Sequence, residues 1–176
     1  KTTTKEMLRA ALSAFGPTHA AEASHNNQWG VPLTFARLPR DAACCVAEIG
    51  MNHAGEIEPL ARLARPHAAV VTTVASAHIG NLGSLEAIAD EKASILHGVE
   101  PDGAAVLPAD SPFLARMADA APGLAVSTFG RAESADARLL AARGDAEGSD
   151  VEAAVMGTRV RFRLRAPGGH MALNAC

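Results

Sequence analysis

The sequence predicts an α/β fold in which a mostly parallel sheet is flanked by helices, with a small antiparallel β appendage near the C-terminus. Two observations predict this fold. Up to about residue 130, short apolar runs alternate with stretches whose apolar residues have helical spacing. Such alternation is typical of parallel sheets that are covered on both faces. After Arg131 the helical spacing ends, and three strand-like segments follow one another directly.

Residues 1–130, the predicted parallel α/β core, begin with a helix over residues 3–15 that ends at Gly16-Pro17. The polar stretch 18–30 is typical of a loop. Ser84, with Glu86 two residues later, is a suitable N-cap for one of the helices that follow. We predict those helices at 31–38, 56–66, 84–99 and 111–122, and strands at 42–50, 67–74, 103–110 and 124–130.

Residues 131–166 form the predicted β appendage, whose strands are "ARLLAARGD", "SDVEAAVMG" and "TRVRFRLRAP". In the last of these, apolar residues alternate with arginines, which predicts a half-exposed strand with a solvated basic face. Met156-Gly157 suits a hairpin turn before it. Residues 167–176 predict the start of a further helix. We therefore expect one domain over residues 1–176, truncated at both ends.

The composition is that of a globular protein, since 48% of the 176 residues are hydrophobic. The net charge is −3, from 16 Lys and Arg against 19 Asp and Glu, and the absence of a basic block argues against a nucleic-acid partner. No apolar run approaches the ~20 residues needed to cross a bilayer. We therefore expect no membrane partner, and a cytoplasmic, monomeric protein. The three cysteines lack metal-site or redox spacing, and we expect buried free thiols.

Several side chains have chemistry that fits the binding of phosphates. Lys1-Thr2 stands at the start of the first helix, where backbone N–H groups can bind phosphates and where a lysine and a hydroxyl can complete the site. Glu48 ends the first predicted strand and His78 follows the second, and parallel sheets bind ligands beyond these strand ends. Lys92 lies in the predicted helix 84–99. Taken one at a time, each of these residues also suits an ordinary surface or loop position.

Four stretches together carry a family resemblance: "KTTTKEML", "NNQWGVPLT", "EIGMNHAGEI" and "ASAHIGNLGSLEAIADEKASIL". They closely resemble the Mur ligases, and "NHAGEI" resembles the MurF type, which joins UDP-MurNAc-tripeptide to D-Ala-D-Ala. The resemblance is dense from Lys1 to about Asp110, loose through the appendage, and returns at "GGHMALN". It implies the central ATP-binding domain of that family, a fold with a phosphate-binding loop (P-loop) whose glycines would precede Lys1.

The resemblance implies roles for the residues at the matching positions. Lys1, Thr2 and Thr3 would bind the phosphates of ATP, with Lys1 in contact with the transferred phosphate. Thr2 and Glu48 would hold one Mg²⁺, and His78 would help to hold a second Mg²⁺ and take part in catalysis.

Other roles implied by the resemblance lie further along the chain. Lys92 matches a lysine that is carbamylated in this family, which would turn a cation into a carboxylate-like anion able to orient Mg²⁺. Asn26 and Asn27 match a loop near the substrate, and Asn52 and His53 match a loop that faces the peptide carboxylate. For each of the four, loop hydrogen bonding is an equally open interpretation.

Near the C-terminus, the resemblance implies that His170 and Asn174 lie by the adenine of ATP. Helix capping or loop hydrogen bonding is an equally open interpretation of these two residues. The sequence departs from the family pattern at two positions. Pro108 and Met171 each stand where the family often has Asn, so any contact made by those amides is lost.

The activity implied by the resemblance is an ATP-dependent ligation. ATP phosphorylates a terminal carboxylate of the substrate, and an amine then attacks the acyl phosphate to form a peptide bond. Two alternatives stay open: another ligase of the superfamily, such as MurE or a folylpolyglutamate synthase, and a non-catalytic nucleotide-binding module. We also expect the 176-residue chain alone to be inactive, because the glycines of its phosphate loop would precede Lys1.

Overall fold

The computed structural model describes residues 1–77 and 79–176, and these residues form the α/β fold that the sequence predicts. Within them, no helix has the length and apolar character needed to cross a membrane. The helices are α1 (Thr2–Leu12), α2 (Gly30–Ala36), α3 (Ile57–Ala64), α4 (Ile79–Leu82), α5 (Leu85–Ala93), α6 (Leu114–Asp119) and α7 (Gly169–Asn174). A 3₁₀ turn (Ser94–Gly98) continues α5. The strands are β1 (Thr18–Ala20), β2 (Cys44–Val46), β3 (Ala68–Val70), β4 (Ala104–Pro108), β5 (Ala125–Gly130), β6 (Ala137–Gly144), β7 (Ser149–Val155) and β8 (Thr158–Leu164).

The strands of the described residues form two sheets. β1 and β2 pair in parallel, and β3 to β8 form a six-stranded sheet in sequence order. In the larger sheet, β3 to β6 are parallel to one another, and β7 and β8 are antiparallel additions. The predicted appendage therefore continues the core sheet, because β6 pairs with the end of β5 at Phe129 and Gly130.

The largest hydrophobic core lies between the parallel strands and the helices α5 and α6. Val71, Leu107 and Met117 are buried there, from the end of β3, from β4 and from α6. A second core joins the segment after β2 to α3 and α5, and its buried residues are Met51, Ile57 and Ile88. Because both cores include α5, that helix is held by packing on two sides, and the side chains it carries have a rigid base.

The structure differs from the predicted elements in several places. The strands β2 and β3 are shorter than predicted, and β1 lies within the predicted loop 18–30, where it pairs with β2. The short helix α4 also has no counterpart in the prediction. The predicted helix 84–99 becomes a 3₁₀ turn from Ser94. Its predicted N-cap is confirmed, since the Ser84 hydroxyl accepts the N–H of Ala87 at 3.1 Å.

The apolar face of α1 is largely exposed. Phe15, predicted as the last apolar residue of this helix, lies beyond its end and is 82% exposed, and Leu8 is exposed as well. Lys5 is the residue of α1 that is buried. The helix packs on β1, β2 and α7. Its contacts with the rest of the protein therefore depend on a charged residue more than on its apolar positions.

The three cysteines are free thiols, but the prediction that they are buried is wrong. Cys45 is exposed, whereas Cys44 and Cys176 are half-buried. The first two lie on β2, which pairs with β1 alone among the described strands. A strand in so small a sheet is not covered on both faces, and alternate side chains therefore reach solvent.

Two features attach and shape the appendage. The carboxylate of Asp110, which follows β4, accepts the N–H groups of Arg131 and Ala132 at 2.8–3.0 Å. Met156 and Gly157 have φ angles of 47° and 80° and form the predicted turn between β7 and β8. Along β8, exposed and half-buried residues alternate, which confirms the prediction of a half-exposed strand.

Gly98 is packed too closely to accept a side chain. A methyl group there would lie 2.5 Å from the carbonyl oxygen of Ala61 and 2.6 Å from the backbone nitrogen of Arg62, both on α3. We expect Gly98→Ala to lower the opening free energy of α3 by about 1–3 kcal/mol, because the two backbones must separate. Hydrogen exchange of the α3 amides in the complete protein measures this change.

Gly80→Ala in α4 is the matched control for this prediction. A methyl group at Gly80 would meet no atom within 4 Å, so we expect a change of less than about 0.5 kcal/mol. Equal exchange rates for α3 in the two variants would contradict the prediction for Gly98.

Candidate functional site

Glu48 is the residue at which the predicted site segments meet. It lies two residues after β2 and is 6% exposed. Its carboxylate accepts two hydrogen bonds, from Oγ1 of Thr2 at 2.9 Å and from Nδ2 of Asn26 at 2.7 Å. Three segments that are distant in the sequence therefore converge on one buried carboxylate: the start of α1, the loop before α2 and the end of β2.

Gly50 makes the close approach of these segments possible. Its N–H donates to the backbone oxygen of Asn26 at 2.7 Å. A Cβ atom on Gly50 would lie 2.7 Å from Nζ of Lys1 and 2.9 Å from Cγ of Asn26. The missing side chain thus leaves space for both groups, and the Lys1 ammonium lies beside the amide that contacts Glu48.

Lys92 brings a second cation close to Lys1. It is half-buried on α5, and its Nζ donates a hydrogen bond to the backbone oxygen of Thr73, in the segment after β3. Burial lowers the pKa of Lys92, and the positive charge of Lys1 lowers this pKa further. Both effects disfavour the charged form. At a given pH, a larger fraction of Lys92 is therefore neutral than for a lysine in water.

The donor atoms around Glu48 suit a small, hard cation. The Thr2 hydroxyl gives its proton to Glu48, so the lone pairs of its oxygen remain for a cation. Hydroxyl and carboxylate oxygens are ligands that Mg²⁺ accepts, together with water and phosphate. Across residues 1–77 and 79–176, no group of three or more His, Cys, Asp or Glu could hold a metal ion.

Some of the predicted site residues lie apart from the Glu48 contacts. His78, predicted to hold a second Mg²⁺, lies outside the described residues. Thr3 is half-buried in the first turn of α1.

Oδ1 of Asn27 accepts the N–H groups of Gly30 at 2.9 Å and Trp29 at 3.1 Å. The Asn27 side chain therefore shapes the start of α2, and only its NH₂ group is left for other partners.

The loop of Asn52 and His53 is held by hydrogen bonds at its own residues. Glu56 accepts the N–H of Asn52 at 2.6 Å, and its other oxygen is 3.1 Å from Nδ1 of His53. Both hydrogen bonds lower the pKa of Glu56, and the bond from Asn52 has the larger effect. Asn81 of α4 donates to the backbone oxygen of Asn52 at 3.0 Å. The side chains of Asn52 and His53 are exposed, and a substrate can reach them.

His170 and Asn174 lie on α7, which packs on α1, β6 and β7. His170 is exposed. Asn174 lines a mostly apolar cavity of about 270 Å³, which Thr4 and Leu8 of α1 also line. The structure therefore places α7 against α1, the helix that starts with the predicted phosphate-binding residues. The two hydrogen bonds to Glu48 come from α1 and from the loop before α2.

Lys5 is a residue of this region that sequence reasoning misses. It is 3% exposed, and its Nζ donates to the backbone oxygens of Ala21 at 2.5 Å and Ala23 at 2.7 Å. Glu6 also contacts its ammonium at 2.9 Å. Lys5 therefore fixes the loop 21–27 to α1, so that Asn26 can reach Glu48. No spacing rule signals this role, because it depends on the path of the loop backbone.

Glu91 is a second residue that sequence reasoning misses. It is 8% exposed on α5, and its two oxygens accept the N–H of Gly55 at 2.7 Å and of Ile57 at 2.9 Å. A carboxylate at the start of a helix is a favourable cap. Its sequence position, beside Lys92 in a charged stretch, resembles that of a solvated helix residue and gives no sign of burial.

Comparison with known proteins identifies the family. The family model of the Mur ligase middle domain matches residues 1–176. The chain belongs to the Mur ligase family. This result confirms the resemblance seen in the sequence. The match runs through the appendage and α7 as well as the parallel core.

Several proteins that the chain resembles are ligases of the MurF type. It is 34% identical over 175 residues to the UDP-N-acetylmuramoyl-tripeptide–D-alanyl-D-alanine ligase of Bacillus subtilis, and the match covers 99% of this chain and 37% of the relative. MurF from Acinetobacter baumannii has a similar structure, with a TM-score of 0.92 and 29% identity over 98% of this chain and 38% of that one. The structure of MurF from Thermotoga maritima in complex with ADP is also similar, with a TM-score of 0.87 and 25% identity. This match covers 98% of this chain and 40% of that one. The chain thus spans well under half the length of these relatives.

Removal of the Lys5 ammonium should loosen the loop that carries Asn26. In Lys5→Met, the carbonyl groups of Ala21 and Ala23 lose a charged donor, and hydrogen bonds to charged groups contribute about 1.5–3 kcal/mol. We expect faster hydrogen exchange in the peptide 21–27 of the complete protein.

Arg9→Met on the same helix is the control for Lys5. Arg9 is exposed and pairs with Glu6 at the surface, a kind of contact that contributes about 1 kcal/mol at most. Its replacement should leave exchange in the peptide 21–27 unchanged. Slow exchange in both variants would show that Lys5 does not hold the loop.

Proposed function

We propose that the chain is the ATP-binding core of a peptidoglycan-precursor ligase. The complete protein would activate the terminal carboxylate of UDP-MurNAc-tripeptide as an acyl phosphate and join it to D-Ala-D-Ala. The observation that carries the proposal is the buried Glu48 carboxylate, which the Thr2 hydroxyl contacts at the start of α1 with Lys1 nearby. The substrates are those named for the Bacillus subtilis relative, and the adenine nucleotide follows the ADP complex of the Thermotoga maritima structure.

Transfer of a phosphoryl group to a carboxylate brings two anions together, so the protein's task is to position them and to neutralise charge. Lys1 would contact the transferred phosphoryl group with its ammonium. The first turn of α1, with Thr2 and Thr3, would present backbone N–H groups and the positive end of the helix dipole to the phosphates.

Thr2 and Glu48 would hold Mg²⁺ through the hydroxyl and carboxylate oxygens described above. Bound there, the ion would neutralise charge on the ATP phosphates. Asn26 would keep Glu48 in its orientation, because its amide donates to one carboxylate oxygen. His78 is proposed as a ligand of a second Mg²⁺.

The reaction would take two steps. An oxygen of the substrate carboxylate bonds to the γ-phosphorus of ATP while the bond to the β–γ bridging oxygen breaks, and ADP leaves. The amine of D-Ala-D-Ala then attacks the carbonyl carbon of the acyl phosphate. The bond from that carbon to the phosphate oxygen breaks, phosphate leaves with the electron pair, and the amine gives its proton to solvent.

Lys92 is proposed as the site of a carbamate. Its lowered pKa supports this role, because the neutral amine is the form that attacks CO₂. The ammonium first loses one proton to solvent. The neutral Nζ then bonds to the carbon of CO₂ while one C–O π bond breaks and its electrons pass to oxygen, and the nitrogen loses a second proton to solvent. The side chain thus changes from a cation to an anion with the release of two protons. The repulsion between Lys92 and Lys1 would then become attraction, and the carbamate oxygens would be able to orient Mg²⁺.

The substrate would be bound by loops around this group. Asn52 and His53 are proposed to face the peptide substrate, which their exposure supports. Asn26 and Asn27 lie on the loop that reaches Glu48, and the NH₂ group of Asn27 would face the substrate. His170 and Asn174 are proposed to lie near the adenine, on the helix α7 that packs against α1.

The decisive experiment measures phosphate release by the complete protein with ATP and different substrate pairs. We expect release to require both UDP-MurNAc-tripeptide and D-Ala-D-Ala. The comparison pairs are UDP-MurNAc-dipeptide with a diamino acid, and a folate with glutamate. Release with only one of those pairs would show that the protein is another ligase of the superfamily. No release with any pair would favour a nucleotide-binding module.

Loss of the Lys92 amine should abolish most of the activity. We expect Lys92→Ala in the complete protein to reduce kcat by about 10²-fold or more, the usual cost of an electrostatic group at a reaction centre. A short carboxylic acid in the buffer should restore part of this loss, since it can occupy the place of the carbamate. Lys92→Arg keeps a charge but cannot form a carbamate, so it should remain inactive with the acid. A fully active Lys92→Ala protein would remove the carbamate from the proposal.

A further inference from the structure

Glu91 is a buried carboxylate that the proposed reaction does not use. It precedes Lys92 on α5, and its two oxygens accept the N–H groups of Gly55 and Ile57. These amides lie at the start of α3, where the first N–H groups of a helix have no partner within that helix. Glu91 therefore caps α3 from another helix, and it fixes the end of the loop 52–56 that leads into α3.

The opposite end of this loop has anchors of its own. Glu56 binds the N–H of Asn52, and Asn81 binds its carbonyl group. At the Glu91 end, Gly55 has a φ of 82°, a conformation that suits glycine, and a side chain there would meet no atom within 4 Å. Packing of side chains therefore does little to hold Gly55, and the Glu91 carboxylate is the contact that does so.

α5 gives Glu91 a rigid base. Ile88 and Ala89 of this helix are fully buried, and the helix contributes to two cores. Consecutive residues of a helix are about 100° apart around its axis. Glu91 accordingly contacts the loop 52–56, while Lys92 contacts Thr73 after β3. One helix thus sets the distance between that loop and the Lys92 amine.

We propose that Glu91 is a positioning residue that fixes the loop 52–56 relative to Lys92 and thereby places the peptide substrate for reaction. The inference rests on the proposed function, in which Asn52 and His53 face that substrate. Displacement of a binding group by about 1 Å can reduce a rate by about 10²-fold. A loosened loop should therefore affect the kinetics of the peptide substrate and leave those of ATP unchanged.

Glu91→Gln in the complete protein tests the inference without a change in side-chain size. The amide keeps one acceptor oxygen but places an NH₂ group against the second backbone N–H. We expect kcat/KM for UDP-MurNAc-tripeptide to fall by about tenfold or more, with KM for ATP within about twofold of wild type. Hydrogen exchange in the peptide 52–57 should become faster. Glu91→Ala, which loses both acceptors, should show the same pattern with a larger loss.

Glu86→Gln is the matched control, since Glu86 is an exposed carboxylate on the same helix. It should change neither the kinetics nor the exchange. A double variant separates positioning from a general loss of stability. If Glu91 acts through the loop, Glu91→Gln should add little to the kinetic loss of Asn52→Ala.

The outcomes distinguish this inference from the proposed function. An active wild-type protein whose tripeptide kinetics or loop exchange are unchanged in Glu91→Gln would overturn the inference alone. Fully additive losses in the double variant would also overturn it. A wild-type protein that is inactive with the tripeptide pair would overturn the proposed function, and the inference with it.

Discussion

The arrangement around the start of α1 depends on the burial of one carboxylate. Removal of Glu48 from water costs free energy unless hydrogen bonds replace its hydration, and its two donors belong to α1 and to the loop before α2. Those two segments must therefore stay at a fixed distance. Lys5 achieves this one turn further along α1, because its ammonium binds carbonyl groups of the same loop. Helix and loop are thus joined at two points, and the position of Asn26 follows from both.

The positive charges beside this carboxylate have a related explanation. Lys1 and Lys92 repel each other, which is one cause of the lowered pKa of Lys92. In the proposed function, bound anions would relieve that repulsion. The two lysines lie close together in a chain whose net charge is −3, so their proximity is a property of this site and does not reflect the overall composition.

Sequence reasoning finds the residues whose place in the chain fixes their place in the fold. Glu48 is predictable because it follows the carboxyl end of a parallel strand, where such sheets bind ligands, although its strand β2 pairs with β1 in the smaller sheet. Lys1-Thr2 is predictable because it precedes a helix. Lys5 and Glu91 are different, since each binds backbone groups of a loop whose path depends on long-range packing. The strand β1 is missed for the same reason: its three residues form a strand because β2 lies beside them.

The two buried carboxylates of the site region show how partner atoms distinguish a binding group from a structural one. Glu48 accepts hydrogen bonds from side chains, which can rotate about their own torsions. Glu91 accepts them from backbone amides, which move only when the chain moves. The donors of Glu48 can therefore turn away while the backbone stays in place, whereas Glu91 can release its partners only if the loop 52–56 shifts. Burial is nearly equal at the two residues, so it is the type of donor that separates a group suited to bind a ligand from one that maintains the shape of the site.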